Sequence, residues 1–136
     1  MSGLGSFKVL IIDDDPRISD TLAIVFSMQG YEARVAYSAE EAIEVIAEWP
    51  PDLAIIDVML PRMNGIDLAI VLKSNYPACR LILFSGEPAT AEIAEEAARK
   101  GHSFEVFAKP LHPVSLLNTV AILLGNQPVA SEALVS

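Results

Sequence analysis

The run Leu53-Ala54-Ile55-Ile56 limits what this chain can fold into more than any other stretch. It is bounded by Pro50-Pro51 before and by Pro61 and Asn64-Gly65 after, so it has the length of a strand and not of a helix. A strand with no polar alternation is covered on both faces, the habit of parallel sheets packed between helices. The run ends in a carboxylate, Asp57. An ionised group at the mouth of a buried strand is costly unless something charged meets it there. The rest of the chain must supply the covering helices and the groups that meet Asp57.

The chain in order supplies the helices. Phe7 to Ile12 reads as a first strand, followed at once by Asp13-Asp14-Asp15. Pro16 suits the first turn of a helix that Asp15 caps, with Ile18, Leu22, Val25 and Phe26 at helical spacing and Gly30 as its stop. Tyr31 to Tyr37 alternates, which predicts a half-exposed strand at a sheet edge. Ser38-Ala39-Glu40-Glu41 is a capping box opening a helix that carries Ala42, Ile43, Ile46 and Trp49. After the central strand, Asn64-Gly65 leads into a helix with Leu68, Val71 and Leu72 expected inward. Arg80 to Phe84 is a fourth strand ending at Ser85-Gly86, and Thr90 to Lys100 a helix with Ile93 and Ala97 inward and Glu92, Glu95 and Glu96 outward. Phe104 to Ala108 is a fifth strand, with Glu105 marking a second edge, and Pro113 opens a last helix to about Leu124. Strand and helix alternate throughout, so the expectation is an α/β fold, a doubly wound (βα)5 domain over residues 7–124 with a parallel sheet in the order 2-1-3-4-5. Residues 1–6 and 125–136 are expected as flexible or loosely packed termini.

In such a sheet the strand C-termini share one rim, and ligands bind there. Asp13 and Asp14 follow strand one, Asp57 strand three, Ser85 strand four and Lys109 strand five. Carboxylates that share a crevice repel one another, and a divalent cation relieves the repulsion. Oxygen-only ligands point to Mg²⁺, held by Asp14 directly, Asp13 directly or through water, Asp57, and the backbone carbonyl of Met59. The only plausible nucleophile there is a carboxylate, and aspartate accepts a phosphoryl group as an acyl phosphate. Mg²⁺ and Lys109 would offset charge on the transferred oxygens, and Ser85 would hydrogen-bond one of them.

Composition excludes other classes. A formal charge of −9 argues against a broad nucleic-acid-binding surface. The single cysteine, Cys79, forms no internal disulfide and reads as an inert structural thiol. No apolar run approaches the ~20 residues of a membrane span, and Met1 to Ser6 is no signal peptide, so the expectation is a cytoplasmic protein.

With Asp13-Asp14, the stretch Ile56 to Gly65, Ser85 and Lys109-Pro110 together, the chain resembles the receiver domain of two-component response regulators, of a stand-alone type, over roughly residues 7–124. The resemblance implies a flavodoxin-like fold and phosphoryl transfer to Asp57 from a histidine kinase or phosphotransfer protein. It also implies Mg²⁺ dependence, self-catalysed dephosphorylation without further enzyme activity, and a cis bond before Pro110. Met59 and Glu87 match positions that modulate phosphoryl lifetime in that family. The family usually has an aromatic switch residue three before its lysine, where this chain has Val106. Only twelve residues follow Leu124, so the expected output is a protein contact, not a nucleic-acid or membrane partner.

Two other readings stay open on the residues alone. One is a phosphate-independent protein-binding module, which Val106 favours and the acidic residues oppose. The other is a haloacid dehalogenase-type phosphatase using Asp13 within Asp13-Asp14-Asp15, which leaves the Asp57 stretch unexplained. Asp52 and Asp67 read as solvent-facing, and His102 and His112 as loop and helix-start residues. The last helix, with Leu116, Leu117, Val120, Ala121, Ile122, Leu123 and Leu124, carries more apolar surface than one stripe needs. The surplus points to the tail residues Val129, Leu134 and Val135 or to a partner or homodimer surface on helix four, strand five and helix five.

Overall fold

The central run is buried at every position. In a computed structural model, which describes residues 6–86, 90–101, 104–109 and 112–125, it forms β3 (Leu53–Asp57) in the middle of a five-stranded sheet. The other strands are β1 (Lys8–Ile12), β2 (Glu32–Ala36), β4 (Arg80–Gly86) and β5 (Glu105–Lys109). All pairs are parallel and the order is β2-β1-β3-β4-β5, as the alternation of elements required. β2 is the half-exposed edge that its alternation predicted. β4 runs two residues further than expected, through Ser85 and Gly86, because β5 continues to pair with it there.

The helices are α1 (Pro16–Met28), α2 (Ala39–Glu48), α3 (Gly65–Asn75), α4 (Thr90–Arg99) and α5 (Pro113–Leu124). Successive strand residues point to opposite faces, so the sheet feeds two cores. Leu10, Ile12, Ala54, Ile56, Leu81 and Leu83 pack with α2 and α3. Val9, Ile11, Leu53, Ile55, Ile82 and Phe84 pack with α1 and α5.

The helix starts at Asp15 and Ser38 follow the predicted chemistry, and Asn64, read from the sequence as part of a turn, caps α3. Asp15 accepts the Arg17 amide at 3.0 Å, and Asn64 accepts the Asp67 amide at 2.9 Å. Ser38 accepts the Glu41 amide at 3.0 Å, while the Glu41 carboxylate reaches one residue past the cap, to the Tyr37 amide at 2.7 Å. Such a cap is typically worth about 1 kcal/mol.

Three side chains depart from expectation. Val71 is 37% exposed; the stripe that α3 buries is Ile66, Leu68, Ala69 and Leu72. From Ile66 to Leu72 only Asp67 is polar, so helical spacing alone could not select the inner face. Ile43 stands 41% exposed on α2, which lies over the β1–β2 edge of the sheet. Asp52 is part-buried, because its carboxylate accepts the Lys8 amide at 2.7 Å at the start of β1. Asp67 is solvent-facing as expected and pairs with Lys100 at 3.3 Å. α5 spends Leu116, Leu117, Val120 and Ala121 on the core and packs Leu123 and Leu124 against it, leaving Ile122 as its exposed apolar residue. Val129, Leu134 and Val135 lie outside the described residues, as do Glu87, His102 and Pro110.

Among the described residues, no helix is long and apolar enough to cross a membrane.

Candidate functional site

The site is built at the C-terminal rim of the three central strands. Asp13 directly follows β1, Asp57 closes β3 and Ser85 stands one residue before the end of β4; all three are buried. Asp13 and Asp57 continue the alternation of Val9-Ile11 and Leu53-Ile55, which sends both carboxylates to one side of the sheet. Asp14 is exposed at the mouth. Carboxylate oxygens of Asp13, Asp14 and Asp57 lie within 4.8 Å of one another, so three of the residues expected from the sequence meet in space.

The backbone fixes their orientation. The Asp13 amide donates to the Ala36 carbonyl at 3.1 Å, tying the end of β1 to the end of β2. Asp13 Oδ1 accepts the Asp15 amide at 2.9 Å, and Asp57 Oδ1 accepts the Met59 amide at 3.0 Å. Each carboxylate is thus held by an amide two residues on, the geometry of an Asx turn. The Met59 side chain is 73% exposed over the rim.

Gly65 sets how closely α3 approaches. Its amide donates to the Val58 carbonyl at 2.8 Å. A Cβ there would collide with the Asp57 carbonyl oxygen and come within 2.7 Å of Val58 Cα. Asn64-Gly65, read from the sequence only as a turn, therefore also permits a helix start to press against the backbone of Asp57.

Ser85 Oγ is buried and has no hydrogen-bond partner among the described residues. Leaving a buried hydroxyl without a partner costs roughly 1–3 kcal/mol of solvation. Lys109 closes β5, its backbone in register with Gly86 and so beside Ser85; its side chain lies outside what is described. Val106 pairs in register with Leu83 and is half-buried against the α2–α3 core. No aromatic ring stands at that position.

Cys79 plays no part here. It lies near the opposite rim, and burial first, then the nearby Asp52 charge, push its thiol up to about 12, so it stays protonated and inert.

The donor set fits a hard divalent cation: three carboxylates, all oxygen, at the open end of a parallel sheet. The class that fold and site define is a doubly wound α/β domain with buried aspartates at its C-terminal rim. The chain belongs to the response regulator receiver domain family, whose pattern matches residues 9–121. It is 29% identical over 128 residues to the DNA-binding response regulator MtrA of Mycolicibacterium smegmatis, covering 93% of this chain and 55% of that regulator. It is 32% identical over 106 residues to the nitrogen assimilation regulatory protein NtrX of Azorhizobium caulinodans, covering 76% of this chain and 23% of that protein. The receiver domain of NtrX from Brucella abortus superposes with a TM-score of 0.78 at 28% identity, covering 88% of this chain and 99% of that domain. A CheY-like receiver domain protein from Methanospirillum hungatei superposes with a TM-score of 0.76 at 26% identity, over 89% of this chain. The chain spans about half the length of the MtrA relatives it matches.

Proposed function

We propose that Asp57 is the phosphoacceptor of a two-component phosphorelay, charged by a histidine kinase or a phosphotransfer protein. The observation that carries this reading is the meeting of three carboxylates within 4.8 Å at the strand-end rim that also carries buried Ser85. The Met59 amide orients the Asp57 carboxylate through Oδ1, and that carboxylate is the proposed nucleophile. Its lone pair forms the O–P bond while the P–N bond to the donor histidine breaks, and the product is an acyl phosphate. The phosphoryl group brings an acceptor oxygen to Ser85 Oγ, which then donates a hydrogen bond that no described residue accepts. Asp13, Asp14, Asp57 and the Met59 carbonyl are the groups that would hold Mg²⁺. When bound, the ion offsets carboxylate repulsion and the charge on the transferred oxygens. Lys109, at the strand end beside Ser85, is proposed to add a fixed positive charge. The domain covers residues 7–124, acts in the cytoplasm and signals by a protein contact; its hydrolytic chemistry is confined to its own phosphoryl group.

The test is intact mass after incubation with acetyl phosphate, with Mg²⁺, with chelator, and in Asp57→Asn. A Mg²⁺-dependent phosphate adduct that disappears in the variant is expected. No adduct with acetyl phosphate or a panel of donor kinases would sink the reading.

One observation favours a second reading. Val106, half-buried against the α2–α3 core, has no ring to swing between inward and outward positions. A module that binds its partner without phosphate would keep the same partner affinity in Asp57→Asn.

A further inference from the structure

The sheet also carries a cleft at its N-terminal rim, away from the acidic pocket. It opens where the end of α3, the start of β4, the approach to β5 and the end of α5 come together, and Lys73, Arg80, Leu81, Phe104 and Leu123 form its walls with Cys79. Leu81 and Phe104 pack with the α2–α3 core and Leu123 with the α1–α5 core, so the cleft lies between the two layers. Arg80 opens β4 and Ser85 stands near its other end, roughly 16 Å away at about 3.3 Å per residue. The cleft has a volume of about 250 Å³. That is just under the roughly 300–1,000 Å³ of sites for drug-sized ligands, so a fitting occupant is small.

Its charge runs against that of the chain. The charged walls are Lys73 and Arg80, both cations, in a chain of charge −9. Arg17 pairs with Asp15, Arg62 with Glu40, and Lys100 with Asp67 and Glu96, but among the described residues neither Lys73 nor Arg80 has a carboxylate partner. Lys73 Nζ stands over the Phe104 ring instead, 5.6 Å from its centroid. Cys79 adds no charge. Its thiol donates to the Arg80 carbonyl at 3.5 Å, and burial, then Asp52, keeps it protonated. The Asp52 carboxylate is itself engaged by the Lys8 amide at 2.7 Å.

We propose that this cleft binds a small monocarboxylate with a compact apolar body, aromatic or branched. The Arg80 guanidinium offers a planar fork that matches a carboxylate, and Lys73 adds a second positive charge. Leu81, Phe104 and Leu123 offer apolar surface for the body of the ligand. A neutral ligand would leave both cations unmatched. A dianion would meet the repulsion of the −9 chain twice over, so a single carboxylate is favoured. The site uses neither Asp57 nor the groups around it, so it stands apart from the phosphoacceptor reading.

Amide chemical shifts of the full chain, titrated with phenylacetate in Mg²⁺-free buffer, test it. Saturable shifts are expected at Lys73, Arg80, Leu81 and Leu123. Phenylacetamide, which lacks the charge, and acetate, which lacks the ring, should each bind about tenfold more weakly or worse. Phenyl phosphate should also bind more weakly than phenylacetate. Arg80→Gln and Lys73→Gln should each weaken phenylacetate binding about tenfold, since each removes a charge-assisted contact. Raised salt should weaken it as well. Lys100→Gln, a cation outside the cleft, should leave it unchanged. Circular dichroism confirms that each variant is folded. No saturable shift overturns the proposal. So does phenylacetamide or phenyl phosphate binding as tightly as phenylacetate, binding indifferent to both substitutions, or shifts confined to the C-terminal rim. No phosphodonor is present, so a failure here leaves the phosphoacceptor reading untouched.

Discussion

The two rims of the sheet use the same residue types for opposite ends. At the N-terminal rim the polar groups close on one another. Asp52 accepts the Lys8 amide at 2.7 Å, its own amide donates to the Lys8 carbonyl at 2.8 Å, and its carbonyl accepts the Arg80 amide at 2.9 Å. Trp49, buried, lies beneath Lys8 Nζ at 5.8 Å and Arg34 Cζ at 4.6 Å. At the C-terminal rim, three carboxylates crowd within 4.8 Å, and Ser85 Oγ has no partner among the described residues. One aspartate stitches three strands together; the others are held beside their own kind. Satisfied polar groups add stability at the first rim, while at the second like charges are gathered at some cost.

Four changes would break or sharpen that contrast. Gly65→Ala should have the largest effect, since the added Cβ meets backbone that cannot yield, at Asp57 and at 2.7 Å from Val58 Cα. A loss on the order of 3 kcal/mol in urea unfolding is expected from such overpacking, and a loss under about 1 kcal/mol would mean that α3 can retreat from the site.

Next comes metal. Saturating Mg²⁺ should raise stability by about 2–3 kcal/mol at a hundredfold excess over its dissociation constant. The gain should vanish in Asp13→Asn and in Asp57→Asn, because each removes one of the three clustered carboxylates. An undiminished melting shift in both variants would place the ion elsewhere.

Asp52→Ala should cost about 1–2 kcal/mol, as the Lys8 amide loses its carboxylate partner. Adduct formation on Asp57 should be untouched, and a slowed reaction would show that the rims are coupled.

Ser85→Ala should be smallest in stability, within about 0.5 kcal/mol of the parent or slightly more stable, because it removes a hydroxyl that bonds to none of the described residues. Acetyl phosphate labelling of that variant should nonetheless slow. A large stability loss with unchanged labelling would make Ser85 structural.

Much of this architecture was legible in the residues alone, and the reason is local. A fully apolar run ending in Asp57, capping residues at Asp15 and Ser38, and glycines after α1 and α4 specify their elements through nearest-neighbour physics. Parallel strands joined by helices then leave few topologies, and reading β2 as an edge from its alternation and β5 from Glu105 agrees with the observed order. The convergence of Asp13, Asp14 and Asp57 follows from that order, since each stands at a strand end on the shared rim.

What only the tertiary structure decided concerns partners remote in sequence. Asp52 and the Lys8 amide are 44 residues apart, and no spacing rule joins them. The near-continuous apolar run of α3 left its inner face undetermined until the sheet selected Leu68 and Leu72 over Val71. The apolar excess of α5 read as a surface, and the core absorbs most of it, leaving Ile122 exposed on that helix. Sequence determines a side chain's preferences through its neighbours along the chain; which preferences are satisfied depends on packing volume and on hydrogen-bond partners that only the assembled sheet brings within reach.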